Sequence, residues 1–184
     1  MMGSSARGTE MRHRLATGLR HVQWAWASVR EPETVTAMYD QAIDLYDKGV
    51  YAAARDLNEQ ALEALTRVLG PEHPNTLAAM CNLANTLGDL GDYVAARDLG
   101  EQALEASWQI LGPEHPDTLQ AMHDLVAILW DQGDCARARD LLRLVLTGRT
   151  RVLGPEHPDT LRTRDLLDAI LAEAVQEPVG SSAP

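Results

Sequence analysis

The hexapeptide LGPEHP occurs three times, at Leu69–Pro74, Leu111–Pro116 and Leu153–Pro158, and both intervals are 42 residues. A strict period of this length belongs to chains in which one supersecondary unit stacks on copies of itself. Such a chain forms a long ordered surface rather than a deep central pocket. Other residues keep the same register: Gly49, Gly91 and Gly133; Ala54, Ala96 and Ala138; Arg55, Arg97 and Arg139, each followed by Asp; and Leu57, Leu99 and Leu141.

Between these markers the apolar residues recur at helical spacing. Leu77, Met80, Ala84 and Leu87 make one such stripe, and Leu119, Met122, Val126 and Leu129 make the next. No stretch alternates as a strand does, so each unit reads as two helices. Gly70, Gly112 and Gly154 follow the last apolar position of a helix, where a left-handed residue ends it without steric cost. Pro74, Pro116 and Pro158 suit the first turn of the next helix, and Asp117 and Asp159 favour its positive end. Gly91-Asp92 and Gly133-Asp134 form the turn inside a unit with Asp as N-cap. Val50 holds that place in the first unit and predicts a weaker cap.

The pattern predicts helices over 33–48, 51–69, 75–89, 93–111, 117–131, 135–153 and 159–176. Residues 10–29 read as a further helix with Met11, Leu15, Leu19, Val22 and Trp26 on one stripe. Leu15 and Leu19 fall one period before Leu57 and Ala61, so this helix is expected to be a half-repeat that caps the stack. The expected organisation is a disordered start (1–9), an N-terminal cap (10–30), units over 31–73, 74–115 and 116–157, a C-terminal capping helix (158–176) and a disordered tail (177–184). The two end stretches are rich in Gly, Ser and Pro, which supports disorder there.

The segment NLANTLGDLGDYVAARDLGEQAL at Asn82–Leu104, joined to LGPEHPDTL, resembles the tetratricopeptide repeat, in the 42-residue variety of kinesin light chains and many bacterial regulatory proteins. The resemblance covers about residues 31–176. Ala84, Gly91, Ala96 and Ala103 stand at the family's small-residue and turn positions; Val126 in the third unit and Gln41 in the first depart from the pattern. The implied fold is an all-α, right-handed superhelical solenoid of three helical hairpins plus capping helices. The implied function is non-catalytic binding of a protein or peptide in a concave groove lined by the first helix of each unit.

Carried over by position, the groove residues are Tyr39, Asp40, Ile43, Tyr46 and Asp47 in the first unit. In the second they are Cys81, Asn82, Asn85 and Asp89, and in the third His123, Asp124, Ala127, Trp130 and Asp131. This set is acidic and aromatic. Asn82 or Asn85 would pair with an extended peptide backbone, since an amide side chain both donates and accepts. The Lys and Arg clamp of chaperone-binding members is missing. A segment bearing Lys or Arg fits these carboxylates and could stack on Tyr46 or Trp130.

Charge divides along the chain in the same sense. Residues 1–30 carry five Arg against Glu10, residues 31–136 four bases against 19 acids, and residues 137–164 seven Arg against three acids, within a net charge of −11. The acidic middle disfavours nucleic acid and favours cationic partners. One such partner lies within the chain: Arg7, Arg12, Arg14 and Arg20, with Trp24 and Trp26, could occupy a groove of the same or a second molecule. A self-associating dimer through the end helices is the alternative function, and an accessory protein of a biosynthetic pathway a third.

Other functions find little support. No apolar run reaches the length of a membrane span, and the start lacks the apolar block of a secretory signal. With Cys81 and Cys135 in no motif spacing, the chain reads as cytoplasmic. The preference for Ala, Leu and Arg with Lys48 as the only lysine is the usage of GC-rich bacterial genomes. The three Glu-His pairs of the repeated hexapeptide cannot share one metal. Stacked helices stand about 8–10 Å apart, whereas zinc needs its nitrogens at about 2 Å. His in this motif fits a helix cap better. His123-Asp124 is the one single-copy pair with catalytic character, and sequence neighbours on a helix point apart. With no GxSxG, phosphate loop or HExxH present, no enzyme activity, cofactor or metal is expected.

Overall fold

The computed structural model describes residues 32–176, which form seven helices. They are α1 (Pro32–Asp47), α2 (Tyr51–Leu69), α3 (Pro74–Asp89), α4 (Tyr93–Leu111), α5 (Pro116–Asp131), α6 (Cys135–Leu153) and α7 (Pro158–Gln176). The expected helix over 10–29 and the end stretches 1–9 and 177–184 lie outside the described residues. Consecutive helices pack antiparallel in three hairpins, α1/α2, α3/α4 and α5/α6, and α7 closes the described stack against α6. Helix α3 also packs on α5, so first helices of adjacent hairpins share one face. The architecture is the all-helical solenoid that the period implies.

Repetition in sequence becomes repetition of backbone detail. At each turn inside a hairpin a glycine takes positive φ, as Gly91 does at 87°. Gly91 N–H donates to the Gly88 carbonyl and Asp92 N–H to that of Leu87, the paired bonds of a Schellman end. Asp92 and Asp134 then cap α4 and α6 through the N–H of Ala95 and Arg137, while Val50 offers α2 no side-chain bond. Between hairpins, the glycine of the hexapeptide departs from the left-handed expectation. Gly70 has φ 90° and ψ 163°, an extended mirror-image conformation that essentially only glycine adopts. It turns the chain sharply out of the helix instead of winding it further.

The histidine of the hexapeptide starts the next helix. Nδ1 of His73 accepts the N–H of Asn75 at 3.1 Å, and His115 and His157 repeat this with Asp117 and Asp159 at 3.2 Å. A proline follows each histidine at the first helical position, where its missing donor costs nothing.

Packing within each hairpin depends on small residues. Ala54, Ala96 and Ala138 are fully buried at one register position, with Ala61, Ala103 and Val145 at another. Val126, which departs from the small-residue pattern, is accommodated as a fully buried core residue in one cluster with Ala138 and Leu142. Gln41 is exposed. The sequence-adjacent pairs Arg55–Asp56, Arg97–Asp98 and Arg139–Asp140 are exposed ion pairs. Solvent screening leaves such pairs little stabilising effect.

Candidate functional site

Three columns of the repeat meet in the interval between adjacent hairpins, and their occupants differ from one interval to the next. In the first interval Leu65 of α2 is fully buried with Tyr39 of α1 and Ala79 of α3. One period on, the corresponding residues are Ser107, Cys81 and Ala121; two periods on, they are Arg149, His123 and Thr163. The interval cores therefore pass from apolar, through small, to polar.

The third interval holds a buried guanidinium. Arg149 is 7% exposed; its Nη2 donates to Gln120 Oε1 at 2.9 Å and its Nη1 to Thr163 Oγ1 at 2.8 Å. Gln120 Nε2 in turn donates to Asp124 Oδ1 at 2.8 Å. Burial pushes the Arg149 pKa down, and the carboxylates of Asp159 and Asp124 oppose this. The cation is thus held by neutral hydrogen-bonding groups within the field of two carboxylates.

The middle interval is filled by the small side chains of Ser107 and Ala121, and over them a cleft lies between α3 and α5. Leu77, Ala78 and Ala121 form apolar walls, and Asn82, Asp117, Gln120 and Asp124 supply polar groups. The Cys81 thiol lines the cleft. Burial raises its pKa far above the ordinary thiol range, and the negative potentials of Asp124 and Asp117 add to the effect. A thiol so held stays protonated and is a poor nucleophile.

The helices on this face share one electrostatic character. α1, α3 and α5 contain eight Asp and Glu residues and neither Lys nor Arg, whereas the arginines gather on α2, α4, α6 and α7. Of the residues expected in the groove, Asp40 and Asp47 are exposed, and Ile43, Tyr46, Asn82, Asn85, Asp89, Ala127, Trp130 and Asp131 are partly buried. Tyr46 hydroxyl donates to Asp89 Oδ2 across the first interval. Burial, then Asp89, raises the Tyr46 pKa, so the phenol stays a donor. Tyr46 also packs edge-on to Tyr51, with ring centroids 5.2 Å apart.

Tyr39, Cys81 and His123 occupy one column and are all under 9% exposed, so they lie beneath the surface and shape it from below. Asp124 is 8% exposed and reaches the surface only within the cleft. His123 Nδ1 lies 4.0 Å from Asp124 Oδ1, beyond hydrogen-bond reach, and accepts or donates no hydrogen bond. The pair therefore lacks the geometry of a proton relay. Ser107, Gln120 and Arg149 were not among the expected site residues. Their signal was present as the Leu65, Ser107, Arg149 column, in which chemically unlike residues alternate at a position that the period makes equivalent.

No helix among the described residues is long and apolar enough to cross a membrane. No curated protein matches the sequence. Among solved structures, the chain is similar to the nearly identical TPR-like repeats of a Podosopora anserina kinesin light chain, with TM-score 0.68 and 24% identity over 85% of this chain and 82% of that one. A single-substitution variant of those repeats matches equally well, over 81% of its length. BtubC (BKLC) from P. vanneervenii is also similar, with TM-score 0.62 and 16% identity over 98% of this chain and 80% of that one. These likenesses agree with the solenoid of helical hairpins. The tetratricopeptide repeat family itself matches the sequence over residues 33–107 and again over 118–159, together more than half of the chain. The chain belongs to the tetratricopeptide repeat family, whose repeats serve as scaffolds for binding other proteins.

Proposed function

We infer that the face formed by α1, α3 and α5 is a concave groove that holds an extended, basic segment of a protein partner, in a regulatory or assembly role. The observation that carries this reading is the separation of charge between the helices. The three first helices carry eight acids, four on α1, one on α3 and three on α5, and neither Lys nor Arg, which supports a net negative potential on their face. That potential speeds the encounter with a cationic segment and disfavours acidic competitors. Asn82 and Asn85 stand along the same helices as backbone-pairing groups, and Tyr46 and Trp130 offer aromatic faces to a cation.

The test is fluorescence anisotropy of a labelled nonapeptide of alternating arginine and alanine, titrated with the full chain at low salt. Binding is expected for the arginine peptide and not for its citrulline counterpart, which keeps the shape but loses the charge and exchanges a donor nitrogen for an oxygen. Asp40→Lys combined with Asp47→Lys should weaken binding at least about tenfold, equivalent to about 1.4 kcal/mol. Equal binding of the arginine and citrulline peptides, or no effect of the charge reversal, would refute the basic-segment reading.

Self-association is the second reading, and it rests on α6, where Leu144, Val152 and Leu153 are exposed. Light scattering on the same samples separates the two, because a dimer that binds no peptide favours the end-helix interface.

A further inference from the structure

We propose that the cleft over Ser107 is a subsite for the guanidinium of an arginine side chain carried by the bound segment. The proposal deepens the groove reading above and rests on it. Its first support is internal to the molecule. At the position equivalent to Ser107 one period later, the chain places its own arginine, Arg149, in the interval between first helices. Two carboxylates, Asp159 and Asp124, stabilise that charge.

The middle interval keeps part of these surroundings and omits the arginine. Asp117 stands one period before Asp159 and Asp124 borders both intervals, while Ala78 and Ala121 take the places of the hydrogen-bonding Gln120 and Thr163. Both carboxylates act on the Cys81 thiol at the cleft wall, which places their field inside it. Asn82 adds an amide oxygen that could accept from a guanidinium, whose five N–H donors suit several acceptors at once.

Size agrees with charge. Ser107 is itself 2% exposed and lies at the floor of the cleft, at the position where the other intervals carry leucine and arginine. Leu65, at the equivalent position of the first interval, is fully buried. Apolar walls would flank the methylene stem of an arginine while the head reaches the carboxylates, the usual division of an amphipathic side chain. An anionic or purely apolar side chain would leave Asp117 and Asp124 facing a like charge or none.

The repeats themselves supply the test variants. Ser107→Leu installs what the first interval carries and Ser107→Arg what the third carries, so each should fill the cleft without breaking the fold. The wild-type chain is titrated with N-acetylarginine methylamide while the methyl resonances of Ala78 and Ala121 are followed by NMR, and the arginine–alanine nonapeptide is titrated into all three proteins. Expected are saturable shifts of both methyls and at least about a tenfold loss of peptide affinity in each variant.

Nonapeptide binding that survives undiminished in Ser107→Leu or Ser107→Arg, or methyls that stay still, would overturn the cleft subsite and leave the groove reading standing. No nonapeptide binding by the wild type would overturn both. Should either variant fail to fold, the other variant and the methyl shifts of the wild type still decide.

Discussion

Replacing Arg149 tests whether the three interval cores are interchangeable solutions to one packing problem. In Arg149→Leu, Gln120 Oε1 loses its donor, but the side chain is half-buried and lines the cleft, so the penalty lies near the lower end of the about 1–3 kcal/mol for an orphaned acceptor. Thr163 Oγ1 keeps its own donation to the Asp159 carbonyl at 2.7 Å and is not orphaned. Against the penalty stand the removal of a desolvated cation and the burial of a leucine, worth about 1.5–3 kcal/mol. The two sides nearly cancel, and Arg149→Leu should lie within about 1 kcal/mol of the wild type. Arg149→Ala has no such compensation. It orphans Gln120 and empties the interval, and large-to-small core changes cost about 2–5 kcal/mol.

The expected gap between the two variants is about 3 kcal/mol, or about 6–12 °C in melting temperature for a domain of this size. Adding Gln120→Leu to Arg149→Leu removes that orphan but takes the Gln120 Nε2 donor from the buried Asp124 carboxylate, so the double variant should be no more stable than Arg149→Leu. Urea denaturation followed by circular dichroism, with thermal melts alongside, reads all four proteins. If Arg149→Leu is as unstable as Arg149→Ala, the guanidinium is indispensable. The view of this column as a set of equivalent core fillings would then be wrong.

Two further predictions follow from the joints. His115→Ala removes the Nδ1 acceptor of the Asp117 N–H and should cost about 1 kcal/mol in urea denaturation, while His115→Asn should retain most of that stability because Asn caps helices well. An unchanged midpoint for His115→Ala would show that solvent replaces the cap. At the next joint, partial burial pushes the Asp159 carboxyl up, but the hydrogen bond and charge of Arg162, then the charges of Arg149 and His157, outweigh it and hold the carboxyl below its ordinary value. Its folded pKa is thus below its unfolded one, so its contribution is present above the ordinary carboxylate value of about 3.9 and is lost as pH falls through the folded value. The wild type should therefore lose more stability than Asp159→Asn between about pH 5 and pH 3, and parallel melting curves over that range would contradict the assignment.

The helices were readable because their punctuation repeats. Proline, glycine and the capping aspartates recur at fixed offsets, and the observed bounds of α2, α4 and α6 coincide with the expected 51–69, 93–111 and 135–153. Where the bounds differ, as at Pro74, the proline itself serves as the first helical residue. The conformation of Gly70 was not readable: a glycine after a helix signals positive φ but says nothing of ψ, and here ψ is extended. Nor was the depth of the face. Counting along a helix finds the side that turns toward the groove, but how much of it slips under the next hairpin depends on the packing between hairpins. Tyr39, Cys81 and His123 fall on the covered side of that boundary. The cleft was hidden for a related reason, since a serine in a helix is unremarkable until the same position is seen to hold Leu65 and Arg149.

The buried clusters also bear on how the array comes apart. In a solenoid each unit is held only by its neighbours, so cohesion runs through a chain of contacts whose weakest member decides where it divides. Among the described residues the second and third hairpins share the largest cluster, in which Ala84 and Ala96 pack with Leu125, Ile128 and Leu129, whereas a smaller one around Tyr39, Leu65 and Ala79 joins the first hairpin to the second. Pulled from its ends or warmed toward melting, the described stack should therefore part between its first two hairpins and not at its waist. Anything that lodges in the cleft would brace a joint that already holds and leave the first hairpin free to open.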